Sequence, residues 1–348
     1  MRYKIFNNLF CFLLVSNFFG CNPVKEKEPV VERICFELFA EVPDVGMPID
    51  MLVKGDTILI SDYYGDSLLH QFHTYDGRKL GSKVPRGGGP GELMPPIGTI
   101  IYGDTLLAYS RPIMTLFKGS MVTKERLRRI GMAPSMTSNI YASGNGDIIS
   151  SVMAFSVEDK NKNYRYAVLD DSMNVRYMFG EYPSHGSRDE ISGIEARSHF
   201  HQTLTILPVD EKSFVAVGGY DLSFYERGEN GKYELRKIVI VSPYDYGVAP
   251  GSEIRATTTR LKPEYERPIS YAALDGRKII LARKKEKSPS KNPAIFFEVY
   301  DMDGMLESRL YPDKNIQEPF GITKGGEIIA FKEDENGFTL MKSKIPNH

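Results

Sequence analysis

The chain has 348 residues, of which 41% are hydrophobic and 26% charged, with a formal net charge of −1. This is globular material for one domain or two, and its near-neutral balance argues against a general attraction to nucleic acid or anionic lipid. Two of the three cysteines, Cys11 and Cys21, lie near the N-terminus, so the body keeps only Cys35. With no internal disulfide to form, stability must come from a core.

The first four residues carry Arg2 and Lys4, residues 5–19 are mostly apolar, and Gly20-Cys21 follows. A basic start, a short apolar run and a small residue before a cut describe an export signal, and the run is too short to span a bilayer as a helix. Two readings of Cys21 stand: an incidental residue after an ordinary secretory signal, or a lipid-bearing one. Phe18-Phe19-Gly20-Cys21 resembles the end of bacterial lipoprotein signals, departing at Phe18, where that family most often has Leu. The resemblance implies that Cys21 becomes the first mature residue, is lipidated, and anchors the protein to the outer membrane of a bacterial envelope, on its periplasmic or its surface side. Residues 1–20 are then a signal peptide and 21–32, rich in Lys, Glu and Pro, a tether. The fold occupies 33–348. Without the signal, 42 basic side chains face 45 acidic ones, a net charge of −3. Cys35, within the alternating Arg-Ile-Cys-Phe-Glu-Leu-Phe, reads as a buried strand residue.

Beyond the tether one pattern recurs. A polar turn, as at Lys54-Gly55-Asp56, Gly103-Asp104, Asn145-Gly146-Asp147, 210–212, 274–276 and Gly325-Gly326-Glu327, leads into a β-prone run at 57–61, 105–109, 148–152, 213–217, 278–282 and 328–331. A second aromatic-rich strand and another hairpin turn often follow, as at 68–80 and 294–310. Six units at 40- to 65-residue spacing suit an all-β chain of four-stranded antiparallel blades closed radially: a six-bladed β-propeller. The lone strand at 34–39 is expected to close the ring by pairing into the final blade. A β-sandwich or two smaller β-domains is the alternative, and 187–200 and 263–273 are candidate insertions.

Ile-Leu-Ile-Ser-Asp62, Leu69-His-Gln-Phe72, Asp76-Gly-Arg-Lys-Leu-Gly81 and Gly87-Gly-Gly-Pro-Gly-Glu92 resemble the NHL-type repeat. They are closer to the six-bladed TolB-like propeller lipoproteins common in Bacteroides-type bacteria. In that family a Gly-Arg-Gly-Pro-Gly-Glu-aromatic turn closes the first blade. Here Gly87, Gly89, Pro90, Gly91 and Glu92 match, while Gly88 replaces the usual Arg and Leu93 the usual aromatic residue. The detailed likeness covers one blade and speaks to fold more than to function.

Several motifs bear on chemistry. The glycine-rich run 85–92 lacks the Lys-Ser/Thr and following helix of a nucleotide loop, so its glycines read as a structural turn, with Arg86 and Glu92 placed to pair or to face a ligand. His199 and His201 would share a face of a strand and could ligate a metal together with Asp189, Glu190 or Glu195, though the spacing fits no metal signature. His70 and His73, three apart, would point to opposite faces. Ser288-Pro-Ser-Lys291 sits in a charged, Pro-containing loop and reads as a solvated tip. Twenty Tyr and no Trp leave tyrosines as the aromatic ligand surface, with Tyr63, Tyr64, Tyr220, Tyr244 and Tyr246 in expected loops.

The expected function is a monomeric envelope lipoprotein that binds a protein, peptide or glycan through loops on one propeller face, with no catalytic residues, no cofactor and no nucleic-acid partner. The competing expectation is an NHL-like or lactonase-like hydrolase or lyase using His199 and His201 to hold a metal.

Overall fold

The computed structural model describes residues 28–121, 126–134, 137–152, 164–182, 201–241, 246–248, 256–258, 268–284 and 295–346. Among them are 27 β-strands and no α-helix. Two short N-terminal strands, β1 (Val30–Ile34) and β2 (Glu37–Glu41), precede six antiparallel meanders. The first blade is β3 (Pro48–Lys54), β4 (Thr57–Asp62), β5 (Ser67–His73) and β6 (Lys79–Pro85). The second is β7 (Ile97–Tyr102), β8 (Thr105–Ser110), β9 (Thr115–Ser120) and β10 (Arg128–Met132). The third is β11 (Thr137–Ala142), β12 (Ile148–Val152), β13 (Tyr164–Leu169) and β14 (Val175–Glu181), and the fourth β15 (Thr205–Pro208), β16 (Ser213–Val217), β17 (Asp221–Arg227) and β18 (Tyr233–Ile240). A two-stranded hairpin, β19 (Tyr246–Val248) with β20 (Ala256–Thr258), separates these from the fifth, β21 (Ile269–Asp275), β22 (Lys278–Lys284), β23 (Ile295–Tyr300) and β24 (Leu306–Pro312). The last blade is β25 (Gln317–Ile322), β26 (Glu327–Asp334) and β27 (Gly337–Lys344), completed by β2 on its outer edge.

The core lies between blades rather than within one. Buried apolar clusters fill all six junctions around the ring. Alternation along a strand divides each apolar run between two junctions: Ile58 and Ile60 pack toward the last blade, and Leu59 between them packs toward the second. Ile280 and Ala282 likewise face the last blade, while Ile279 and Leu281 face the fourth. Both faces of the second strand are therefore buried, which is why the repeat reads as continuous rather than alternating hydrophobicity.

Ring closure uses an N-terminal strand, in a divided form. β2 runs antiparallel to β27, Glu37 opposite Lys342 and Glu41 opposite Thr339. β1 adds a fifth, parallel strand to the preceding blade, Val30 opposite Ser308 and Ile34 opposite Pro312. The single strand expected at 34–39 breaks at Cys35, which corrects its reading as a buried strand residue: Cys35 is exposed in the link between blades. Its neighbours Ile34 and Phe36 are the buried ones, and the Phe36 amide donates to Asp313 Oδ1 at 2.9 Å. Residues 187–200 lie outside the described residues, and 269–273 of the other expected insertion belong to β21.

Candidate functional site

In each meander the first strand is innermost, and neighbouring first strands β3, β7, β11, β15, β21 and β25 contact one another around the axis. All start on one face, which also carries the turns between second and third strands. We call this the mouth face, and the opposite one the back face. Residues from all six inner strands line a central channel of about 450 Å³. Above it, between the first, fifth and last blades, opens a cavity of about 570 Å³ whose wall includes Met47, Tyr64, Lys284, Glu318, Glu333 and Phe338. The two share Ile49, Ser270 and Tyr271.

Three tyrosine hydroxyls fasten the channel rim. The Ile140 amide donates to Tyr109 Oη at 3.2 Å, and Tyr141 donates to the Thr203 carbonyl at 3.0 Å. Tyr271 reaches past β25, where its ring packs edge-on against Phe320 with centroids 5.3 Å apart, to β3. There its hydroxyl lies 2.5 Å from Asp50 Oδ1 and 2.9 Å from the Met51 carbonyl, and accepts from the Met51 amide at 3.1 Å. Gly98 makes room for Tyr109, since a Cβ there would stand 2.2 Å from Tyr109 Cζ. Burial pushes the Asp50 carboxyl above its ordinary value, against the pull of Tyr271 and of the Arg111 guanidinium. Burial, and then Asp50, push the Tyr271 hydroxyl up well beyond the usual phenol. Asp50 and Arg111 are the two charged side chains among the described residues lining the channel.

Asp62, fully buried at the end of β4, fixes the mouth-face loops of the first blade. Its Oδ2 accepts from the Gly46 amide at 2.9 Å, and its Oδ1 from the Met47 and Tyr64 amides at 2.7 and 3.1 Å. His70 Nε2 stands 3.4 Å from Oδ2, and His70 Nδ1 meets Ser82 Oγ at 3.1 Å. Burial opposes ionisation of Asp62, but these donors outweigh it and hold the carboxyl below its ordinary range. His70 is buried while His73 pairs with Asp76 near the surface.

The glycine-rich run forms the crossing from β6 to β7 on the mouth face. The Gly87 amide bonds the Leu93 carbonyl at 3.1 Å and the Leu93 amide bonds that of Pro85 at 3.0 Å. The Glu92 carboxylate folds back to accept from the Gly89 amide at 2.8 Å. A Cβ on Gly87, whose φ is +154°, would lie 2.1 Å from Glu92 Oε2. Gly91, with φ +80°, also occupies the left-handed region, and Pro90 lies between these turns. Arg86 donates to the Tyr64 carbonyl at 3.2 Å rather than to Glu92. Tyr63 and Tyr64 stack edge to face at 5.0 Å, with Tyr64 exposed. Tyr220 lies between β16 and β17 on the same face but is only 7% exposed and lines neither cavity.

His201 is buried with Nδ1 3.3 Å from Asp221 Oδ2, and Arg165 Nη1 is 3.8 Å from Asp221 Oδ1. The arrangement is an ion-pair network joining the third and fourth blades. Among the described residues no group of three or more His, Cys, Asp or Glu side chains is placed to hold a metal. Cys21, His199 and Tyr244 lie outside the described residues.

The structure thus brings Arg86, Tyr63 and Tyr64 together at the mouth and leaves Tyr220 and His201 in the packing. The sequence carries no signal for Asp50, Tyr109, Arg111, Asn139, Tyr141 or Tyr271, which come from four blades and meet only when the ring closes.

Residues 26–320 match the family described as TolB-like 6-blade propeller-like. The match ends within β25, and β26 and β27 of the last blade lie beyond it. No curated protein matches the chain. Among solved structures, a Bacteroides fragilis protein described as exported is similar over 92% of this chain and 99% of its own, with 12% identity and a TM-score of 0.59. Virginiamycin B lyase from Staphylococcus aureus is similar over 89% of this chain and 100% of its own, with 13% identity and a TM-score of 0.50. At such identities the likeness is one of fold.

Proposed function

The chain belongs to the TolB-like six-bladed propeller family, and from that premise we propose that it is a lipid-anchored envelope protein that binds a ligand or partner at its mouth face without transforming it. The observation that carries this reading is the mouth itself, a concave aromatic-walled cavity continuous with the channel. Pockets of this size and lining are the ordinary form of a binding site. Exposed Met47, Tyr64, Met94, Ile113 and Leu204 all lie on loops of that face. Tyr64 lines the cavity, and Arg86 donates to its carbonyl at 3.2 Å.

Export is supported by the signal-like first twenty residues and by the exported Bacteroides fragilis neighbour. Lipidation of Cys21 supplies the anchor to the outer membrane in this reading. The protein acts as a monomer, its partner being a protein, peptide or glycan of the envelope.

The test is site-specific photocrosslinking in the native envelope, with the crosslinker at Ile113 on the mouth face or at Tyr75 on the back face. Adducts are expected from Ile113 alone. Adducts from Tyr75 alone, or none from either, would reject the proposal. Palmitate labelling that persists in Cys21→Ser would reject the anchor.

A further inference from the structure

Among the described residues the channel lining is almost wholly uncharged, and its two charged side chains are unequally available. Asp50 is already engaged: its Oδ1 is 2.5 Å from the Tyr271 hydroxyl and accepts the Met51 amide at 2.9 Å. Arg111 follows β8 in the turn to β9, its backbone amide tied to the Pro96 carbonyl at 3.0 Å and its side chain exposed. Among the described residues no carboxylate lies within ion-pair distance of its guanidinium. It shares the channel wall with Asp50, Tyr109, Tyr141 and Tyr271, which come from strands of four different blades. Arg111 lines the channel beside Tyr109, to whose hydroxyl its guanidinium donates, and otherwise opens onto the cavity.

Resting on the binding role proposed above, we propose that Arg111 anchors a carboxylate of the channel ligand. A planar guanidinium presents two parallel N–H donors that match a carboxylate in a bidentate pair. One cation suits a monoanion, because a dianionic phosphate would place its second charge near Asp50 with no other Lys or Arg among the described residues of the channel lining to balance it. The Asn139 side chain adds a neutral donor and acceptor to the same wall, and the tyrosine rings provide flat apolar surface for the body of the ligand. A peptide C-terminus and a uronic acid sugar both present this chemistry.

The experiment is titration calorimetry on the full chain in detergent, with N-acetyl dipeptides ending in Phe against their C-terminal amides, and digalacturonate against galactobiose. At least one acid should bind about tenfold to a hundredfold more tightly than its neutral counterpart, and the acid that binds identifies the source. Arg111→Gln should remove that preference while circular dichroism shows the propeller still folded. Arg111→Lys, which keeps the charge but loses the fork, should fall between. The assignment is overturned if no acid outperforms its neutral partner at millimolar concentration, or if Arg111→Gln binds the acid like wild type. Crosslinks from Ile113 that persist under those outcomes leave the binding role standing, whereas their absence removes both.

Discussion

Asp62 tests how far one buried carboxylate organises the mouth. Replacing it with Ala removes the acceptor for three backbone amides, those of Gly46, Met47 and Tyr64, and leaves His70 without its acid. Hydrogen bonds to a charged group contribute about 1.5–3 kcal/mol each, but the three share one acceptor and the loops can regain water. A net cost of about 3–5 kcal/mol follows, comparable to breaking a buried ion pair. For a domain of this size that lowers the melting temperature by roughly 6–15 °C. The assay is urea and thermal unfolding followed by circular dichroism, for wild type, Asp62→Ala and Asp62→Asn. Because folding lowers the Asp62 pKa, its stabilisation is complete at neutral pH and declines as pH falls through the folded value. The gap between wild type and Asp62→Asn should therefore narrow as pH drops below about 4. A loss under about 1 kcal/mol at neutral pH, or a gap unchanged in acid, would show that the clamp contributes little.

Asp50→Asn should act in the opposite sense. Folding raises the Asp50 pKa, so ionisation at neutral pH works against the fold, and the variant should show a higher urea midpoint there and lose that advantage as wild type protonates in acid. Gly98→Ala forces a Cβ into the Tyr109 ring and should cost about 1–3 kcal/mol by denaturant titration, the usual range for overpacking. Glu298 is fully buried, bonding Arg283 Nη1 at 2.9 Å and Arg309 Nε at 3.0 Å. Glu298→Gln should destabilise by about 3–5 kcal/mol in the same assay, because the buried charge that both arginines bond is removed.

The second strand of every blade was legible because both its faces are buried, giving runs such as Ile58-Leu59-Ile60 that need no knowledge of neighbours. Inner strands were not, since one side meets the channel and their pattern is broken by residues such as Asp50 and Thr99. The loops bearing Arg86, Tyr63 and Tyr64 were located by turn chemistry, which is local. Asp50 and Tyr271 touch across 221 residues, and no spacing rule reaches so far without the ring. Tyr220 shows the converse limit: next to Gly218-Gly219 it reads as a loop residue, yet its ring is buried. The alternation around Cys35 was real in its neighbours, but the chain crosses there between two blades. Parallel pairing of β1 leaves no mark in composition.

The direction of β1 has a mechanical meaning. Parallel to β24, it travels from the back face toward the mouth, so the N-terminal segment enters beside the back face. With a lipid on Cys21, the roughly nine residues to Val30 span at most about 30 Å. The back face is then held toward the bilayer and the mouth opens away from it, toward whatever approaches from outside the anchoring leaflet. A pull on the tether would load the β1–β24 ladder along its length, in shear across all five residue pairs from Val30 to Ile34. Peeling would break them one at a time, so in a chain lipidated at Cys21 the fifth strand of this blade would act as a strain relief between lipid and ring.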